Sequence, residues 1–435
     1  MVIDMENINK LWKKVESERT GDHYFTLTHP TGLEIFVYPK KNFSTTFAIF
    51  GTRYGSIDNC FKRSDELEAS VVPEGIAHFL EHKLFESEEG DTFLKFAATG
   101  ASANAFTSFE STCYLFSATQ NIYPSLEILL DFVQSPYFTE ETVKKEQGII
   151  GQEIKMYEDD PGWCSMFNML KGMYHKHPIK NDIAGTVESI SKITPEYLYR
   201  CYNTFYNLSN MALVVVGNAE CDKVLDICDK LLKRTEPMQV ERIYEAEPET
   251  VVEPYIEQKM SVALPLFQLG FKESVKGKHI DEKTIAETEI ILDAMASDAS
   301  PLFKRLYDMQ LINESSFSYE FFEGEGHAAV MFGGESRDPQ KVAEEINKEI
   351  KKLKEIGIDK ETFEISKRSI YGSNISGLNS SSAIANAMIS MKFNGRELYK
   401  YIDSLAVITL EDVNRRLREI MMEDKAVLSV ILPED

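Results

Sequence analysis

His78, Glu81 and His82 lie together in the stretch EGIAHFLEHKLFE. On a helix, residues three and four apart share a face. These three then project from one side, and Ile76, Ala77, Leu80 and Leu84 are left to face a core. Two imidazoles at i and i+4 can reach one metal ion, and imidazole nitrogen suits zinc. Glu81 stands one residue before the second histidine, close enough to touch a water held by the metal without having to bind the ion. The plainer reading is a polar helix face that happens to carry two of the eight histidines.

A catalytic zinc takes three protein ligands and keeps a fourth position open, so a third donor must come from elsewhere. In KKEQGIIGQEIKMYEDDP, Glu146 and Glu153 are two helical turns apart and share a face. Ile149, Ile150 and Ile154 make this helix more apolar than a purely solvated one. Taken alone, the two carboxylates also fit a solvated stripe.

The surrounding segments predict the scaffold. LEIFVYP and TTFAIFGTRYGSI alternate as strands do, and SANAFTSFESTCYLFSAT reads as a further strand or hairpin. GIAHFLEHKLFE is a helix, and YPSLEILLDFVQS is a helix ended by Pro136. Thr139 caps a long helix with Glu140 and Glu141 in its first turn, where the helix dipole favours acidic groups. Mixed elements with short connections predict an α+β fold, a largely antiparallel sheet with helices packed on one face.

An internal repeat sets the larger organisation. ITPEYLYRCYNTFYNLSNMALVVVGN from Ile193 aligns without a gap on ITLEDVNRRLREIMMEDKAVLSVILP from Ile408. Thr194 and Thr409 are helix N-caps, with Pro195 at the first helical position of one copy and Asp412 completing a capping box in the other. FTEETVKKEQGIIGQEI from Phe138 similarly resembles IDKETFEISKRSIYGSNI from Ile358. Duplication of a domain follows: an N-terminal domain over 1–230, a charged linker over 231–255 and a homologous C-terminal domain over 256–435. The second copy has no HxxEH, and Ser366 and Ser373 stand where the repeat places Glu146 and Glu153.

Composition narrows the function. With 47 basic and 70 acidic residues the net charge is -23, which disfavours nucleic acid and anionic membrane surfaces as partners. No apolar run approaches the roughly 18 residues of a membrane span, and the N-terminus shows no signal-peptide apolar region. Six scattered cysteines without a CxxC predict reduced thiols and a cytoplasmic location. YHKHP, with His175 and His177, is expected to be a solvated loop rather than an adventitious metal site. SGLNSSSAIANAM is expected as a flexible loop or helix start, and FEGEGHAAVMFGGES as strands with a bulge or turn.

HxxEH followed about seventy residues later by a glutamate in an E-x6-E helix resembles the insulinase/pitrilysin/mitochondrial-processing-peptidase family of inverted zinc peptidases. GIAHFLEH, GASANAFTSFESTCYLFSAT and EQGIIGQEIKMYEDDP look like family segments in the family's order, and the length resembles the short bacterial two-domain branch. The resemblance implies two homologous domains in a clamshell and one zinc ion per chain. His78, His82 and Glu153 would be its ligands, Glu81 the general base, and Glu146 a carboxylate orienting a ligand histidine. Asn104 and Ala105, in NAFT, would lie on an edge strand that takes substrate backbone as an added strand. Relatives also use an Arg and a Tyr from the second half of the assembly to stabilise the tetrahedral oxygen. Here Pro301 and Phe317 stand at those places, and the nearby Arg305 and Tyr319 are out of register.

The implied function is a zinc endopeptidase for short or unfolded peptides, acting as the metal-bearing subunit of a heterodimer whose sister chain supplies Arg and Tyr. It extends to processing of a leader or precursor peptide. The competing class is a non-catalytic peptide-binding or assembly subunit of the same fold. A zinc hydrolase of non-peptide substrates would have no need of the edge-strand segment.

Overall fold

The alternating segments form strands whose order can be followed along the chain in a computed structural model, which describes residues 11–88, 90–275, 277 and 279–434. Among these residues, β1 (Lys13–Glu16), β2 (His23–Thr28), β3 (Glu34–Pro39), β4 (Thr46–Thr52), β5 (Ser102–Thr107), β6 (Thr112–Ala118) and β7 (Met211–Gly217) make one seven-stranded sheet in the order β1-β2-β3-β7-β4-β6-β5. Neighbours are antiparallel except β3 and β7, which run parallel. β7, MALVVVG, is buried at every residue, so its continuous apolar run replaces the alternation of a half-solvated strand.

A second sheet repeats this plan. β8 (Tyr255–Met260), β9 (Leu266–Lys272), β10 (Ser318–Gly324), β11 (His327–Glu335) and β12 (Ala426–Pro433) are ordered β8-β12-β9-β11-β10, with β8 parallel to β12 and the other neighbours antiparallel. From β3 onward the first sheet has the same order and the same place for its parallel pair, as a duplication requires. The repeated helix starts keep their chemistry. Thr194 accepts from the Tyr197 N–H beside Pro195, and Thr409 forms a capping box with Asp412.

The helices sort less simply. α1 (Ile76–Leu84), α2 (Glu140–Glu158) and α3 (Pro161–Met173) come from the first half, and α4 (Lys360–Gly377) and α5 (Ser381–Phe393) from the second. α3 and α5 each follow a copy of the same repeated helix, yet α3 packs on β8, β9 and β12, whereas α5 packs on β4 and β7. Each close approach rests on a glycine. A Cβ on Gly270 of β9 would sit 2.5 Å from Met169 Sδ, and one on Gly51 of β4 would sit 3.2 Å from the Phe393 ring. Each compact unit is therefore assembled from separate stretches of the chain. One holds the described residues up to Gln152 with Asp182–Ile243 and Ile375–Tyr399, and the other holds Glu153–Asn181, Tyr244–Asn374 and the chain from Lys400 onward.

The expected linker is anchored at two points along its length. Val240–Arg242 pairs with Cys60–Arg63, and Arg242 Nε makes a buried ion pair with Asp58 Oδ1 at 2.9 Å. Glu247 accepts from the N–H groups of His175, Lys176 and His177 at 2.7–2.9 Å and from Lys272 Nζ at 2.6 Å. Burial opposes its charge, but the Lys272 bond and the three N–H donors hold its carboxyl down to about 2.

That cradle corrects the reading of YHKHP as a solvated loop. His177 is buried, with Nε2 3.1 Å from the Glu325 carbonyl and its ring 5.3 Å from that of His327. Burial lowers His177 to about 4 and His327 to about 3. FEGEGHAAVMFGGES folds as the β10–β11 hairpin, turning at Glu325 and Gly326. SGLNSSSAIANAM supplies a helix start, with Ser380 capping α5. No described helix is long and apolar enough to cross a membrane. All six cysteines are free thiols.

Candidate metal centre

The helix carrying the histidines is fixed at its first residue. Gly75 precedes α1 at φ 84°, and a Cβ there would fall 2.2 Å from the Ala184 carbonyl oxygen. Only glycine meets both the left-handed backbone and the close approach. α1 then runs over β5 and β6 with Ile76, Ala77, Phe79, Leu80 and Leu84 buried. Lys83 is buried as well and ion-pairs with Glu86, which its charge gave no reason to expect. On the remaining face His78 is buried and His82 half-buried, their rings edge-on with centroids 4.6 Å apart.

α2 brings the carboxylates. Buried Glu146 places Oε1 3.0 Å from His82 Nδ1. With Nδ1 engaged by a carboxylate, the ring is oriented and Nε2 is the nitrogen that would face an ion. Glu153 follows two turns later on the same continuous helix, so its placement relative to Glu146 is set by helical geometry. One ligand atom each from His78, His82 and Glu153 lie within 4.8 Å of one another. Among the described residues this is the one such group of three or more His, Cys, Asp or Glu side chains. Two imidazoles and a carboxylate are a donor set that zinc accepts, and three ligands leave a tetrahedral position open.

Glu81 points to the neighbouring strand, where its Oε2 accepts from the Thr107 hydroxyl at 2.6 Å. Thr107 ends β5, the edge strand that also carries Asn104 and Ala105. The Asn104 side chain is turned back on its own strand, with Oδ1 accepting from the Ala105 N–H at 2.9 Å. Behind Glu81 lies a dry wall. Burial pushes the Cys113 thiol up to about 12, and the nearby Glu81 charge acts in the same direction. The thiol therefore stays protonated. Tyr114 and Tyr206, both buried, share a hydroxyl–hydroxyl bond of 2.8 Å.

The spacing-based reading missed two of these groups. Thr107 was visible only as part of a strand, because its bond to Glu81 depends on how α1 crosses β5. Tyr157, one turn beyond Glu153, donates its hydroxyl to Glu153 Oε1 at 2.8 Å.

In the second unit the counterparts are put to other uses. Pro301 opens the helix Pro301–Asp308. Arg305 is tied through Nε to Glu345 at 3.1 Å and through Nη2 to Glu349 at 2.8 Å. The Tyr319 hydroxyl lies 3.5 Å from Asp293 Oδ2, and burial raises this phenol to about 12. Ser366 is buried in α4.

Comparison with known proteins places this architecture. Residues 69–187 match the family model described as insulinase (peptidase family M16), and residues 192–370 match the peptidase M16 inactive domain. An uncharacterized zinc protease of Bacillus subtilis, YmfH, is 40% identical over 428 residues, covering 97% of this chain and 99% of its own. This chain belongs to the insulinase family of peptidases, in the short two-domain form expected from its motifs. The crystal structure of an M16-like protein from Alicyclobacillus acidocaldarius superposes with a TM-score of 0.91 at 34% identity, covering 97% of this chain and 99% of that one. A protease structure from Helicobacter pylori, at 20% identity and a TM-score of 0.82 over 95% of this chain and all of its own, shares the fold.

Proposed function

We propose that the chain is the zinc-bearing subunit of an endopeptidase that hydrolyses short or unfolded peptides, with His78, His82 and Glu153 as ligands and Glu81 as general base. The observation that carries this is the clustering of two imidazoles and a carboxylate beside a glutamate held by the edge strand. Zinc held there would supply Lewis acidity that makes an attacking water more acidic. Glu81, held by Thr107, accepts the water's proton and passes it to the leaving amine. Glu146 keeps His82 in one orientation. β5 offers its outer edge around Asn104 and Ala105 to an extended peptide, so recognition rests on backbone hydrogen bonds.

The donors for the developing negative oxygen come from a sister subunit. Support lies in the commitments of the local candidates: Arg305 to Glu345 and Glu349, and Tyr319 to Asp293. Free thiols fit a reducing compartment, the cytoplasm, and a leader or precursor peptide fits a substrate read through its backbone. The test is cleavage of a mixed pool of short peptides by the full chain, alone and with an Arg- and Tyr-bearing family member. Zinc-dependent cleavage is expected with the sister chain present. Full activity of the chain alone would overturn the paired-subunit reading. No cleavage by the zinc-loaded pair would overturn the peptidase reading.

A further inference from the structure

We propose that Tyr157, braced by Trp163, is the positioning residue for the Glu153 carboxylate, as Glu146 is for His82. This rests on Glu153 being a metal ligand. A glutamate's terminal torsion is broad, and immobilising its side chain costs rotamer entropy. A carboxylate that must meet an ion in one orientation benefits from a donor that fixes it beforehand. Tyr157 lies one turn further along α2, on the same face, and donates to Glu153 Oε1 at 2.8 Å. A phenol can fill this role only if its own ring is held.

The ring is held by the chain's return into α3. The Tyr157 and Trp163 rings stack at 4.7 Å and 18°. Trp163 leans on Phe167, which is buried, with centroids 5.1 Å apart. The turn that brings Trp163 back is bonded at two points. The Asp160 N–H donates to the Tyr157 carbonyl at 3.1 Å, and Asp160 Oδ1 caps α3 by accepting from the Trp163 N–H at 2.8 Å. The sequence YEDDPGW is therefore a built bracket. Asp160 and Pro161 start α3 at once, and the third residue of that helix covers the tyrosine one turn after the carboxylate. Half-buried Tyr157 and Trp163 also shield one side of the Glu153 bond from bulk water.

The test is zinc affinity of the full chain, measured by competition with a chromophoric chelator, together with thermal unfolding of the metal-free protein. Tyr157→Phe keeps the stacked ring and removes the hydroxyl. It is expected to weaken zinc about 10- to 100-fold, the usual effect of removing a partner of a metal ligand, with metal-free unfolding unchanged. Trp163→Leu should weaken zinc in the same direction, and Trp163→Phe should restore most of the loss. Wild-type affinity in Tyr157→Phe would overturn the proposal. So would a loss matched by destabilisation of the metal-free protein and not relieved in Trp163→Phe. A wild-type chain that fails to bind zinc, or Glu153→Gln binding as tightly as wild type, would instead overturn the assignment of the metal site.

Discussion

Replacing Glu146 should loosen zinc in graded steps while leaving the fold intact. Its side chain is 10% exposed, so the 3.0 Å bond to His82 Nδ1 forms away from bulk water. Hydrogen bonds to charged groups contribute about 1.5–3 kcal/mol. At about 1.4 kcal/mol per factor of ten, loss of this bond corresponds to one to two orders of magnitude in zinc affinity. Glu146→Gln retains an acceptor oxygen but not the charge, and should fall about 10-fold. Glu146→Ala removes both and should approach 100-fold. The assay is chelator competition on the full chain, with one zinc per chain still reached at saturation. Wild-type affinity in the alanine variant would refute the orienting role. Complete loss of binding in both variants would make Glu146 a ligand and displace Glu153 from that position.

Three further outcomes follow from the geometry. Thr107→Val keeps the strand and removes the donor to Glu81; turnover should fall about 10-fold or more with zinc content unchanged, and undiminished turnover would show that Glu81 needs no such support. Gly75→Ala combines a left-handed backbone with a 2.2 Å approach to the Ala184 carbonyl, so it should lower thermal stability by well over about 1 kcal/mol, read from denaturant unfolding. His177 and His327 are buried with their values lowered to about 4 and about 3, against roughly 6.5 in the unfolded chain. Below about pH 6.5 the unfolded chain takes up protons that the fold refuses, so stability should fall by up to about 1.4 kcal/mol per pH unit per histidine until the folded values are reached. His177→Gln should flatten that slope, and an unchanged slope would contradict it.

The legibility of this chain follows the range of each interaction. Helical spacing alone put His78 beside His82 and Glu146 on one face with Glu153, because i+4 and i+7 relations are local. The repeat made the second sheet foreseeable, since a shared strand order needs only copied patterns. It could not reveal that α3 and α5 exchange sheets. Which sheet a helix covers is decided by glycines such as Gly51 and Gly270 on distant strands, not by the helix's own periodicity. A division into consecutive blocks, 1–230 and 256–435, has no means of anticipating that exchange. Arg242 and Glu247 sat in a stretch whose charge suggested a solvated tether, yet their partners Asp58 and Lys272 take them into buried ion pairs. His177 was misjudged for the same reason: the carbonyl it meets belongs to Glu325, far along the chain. Thr107 belonged to a quoted motif, but its hydroxyl acquires a task only when α1 lies across β5.

The most direct test compares the wild-type chain with Glu81→Gln, each assayed for bound zinc and for peptide cleavage in the presence of the sister chain. Glutamine keeps the size and the acceptor for Thr107 but cannot take a proton at neutral pH. The proposed mechanism predicts one zinc bound in both proteins and cleavage abolished in the variant. Equal cleavage by the two proteins would contradict Glu81 as the base and the reading of the whole site.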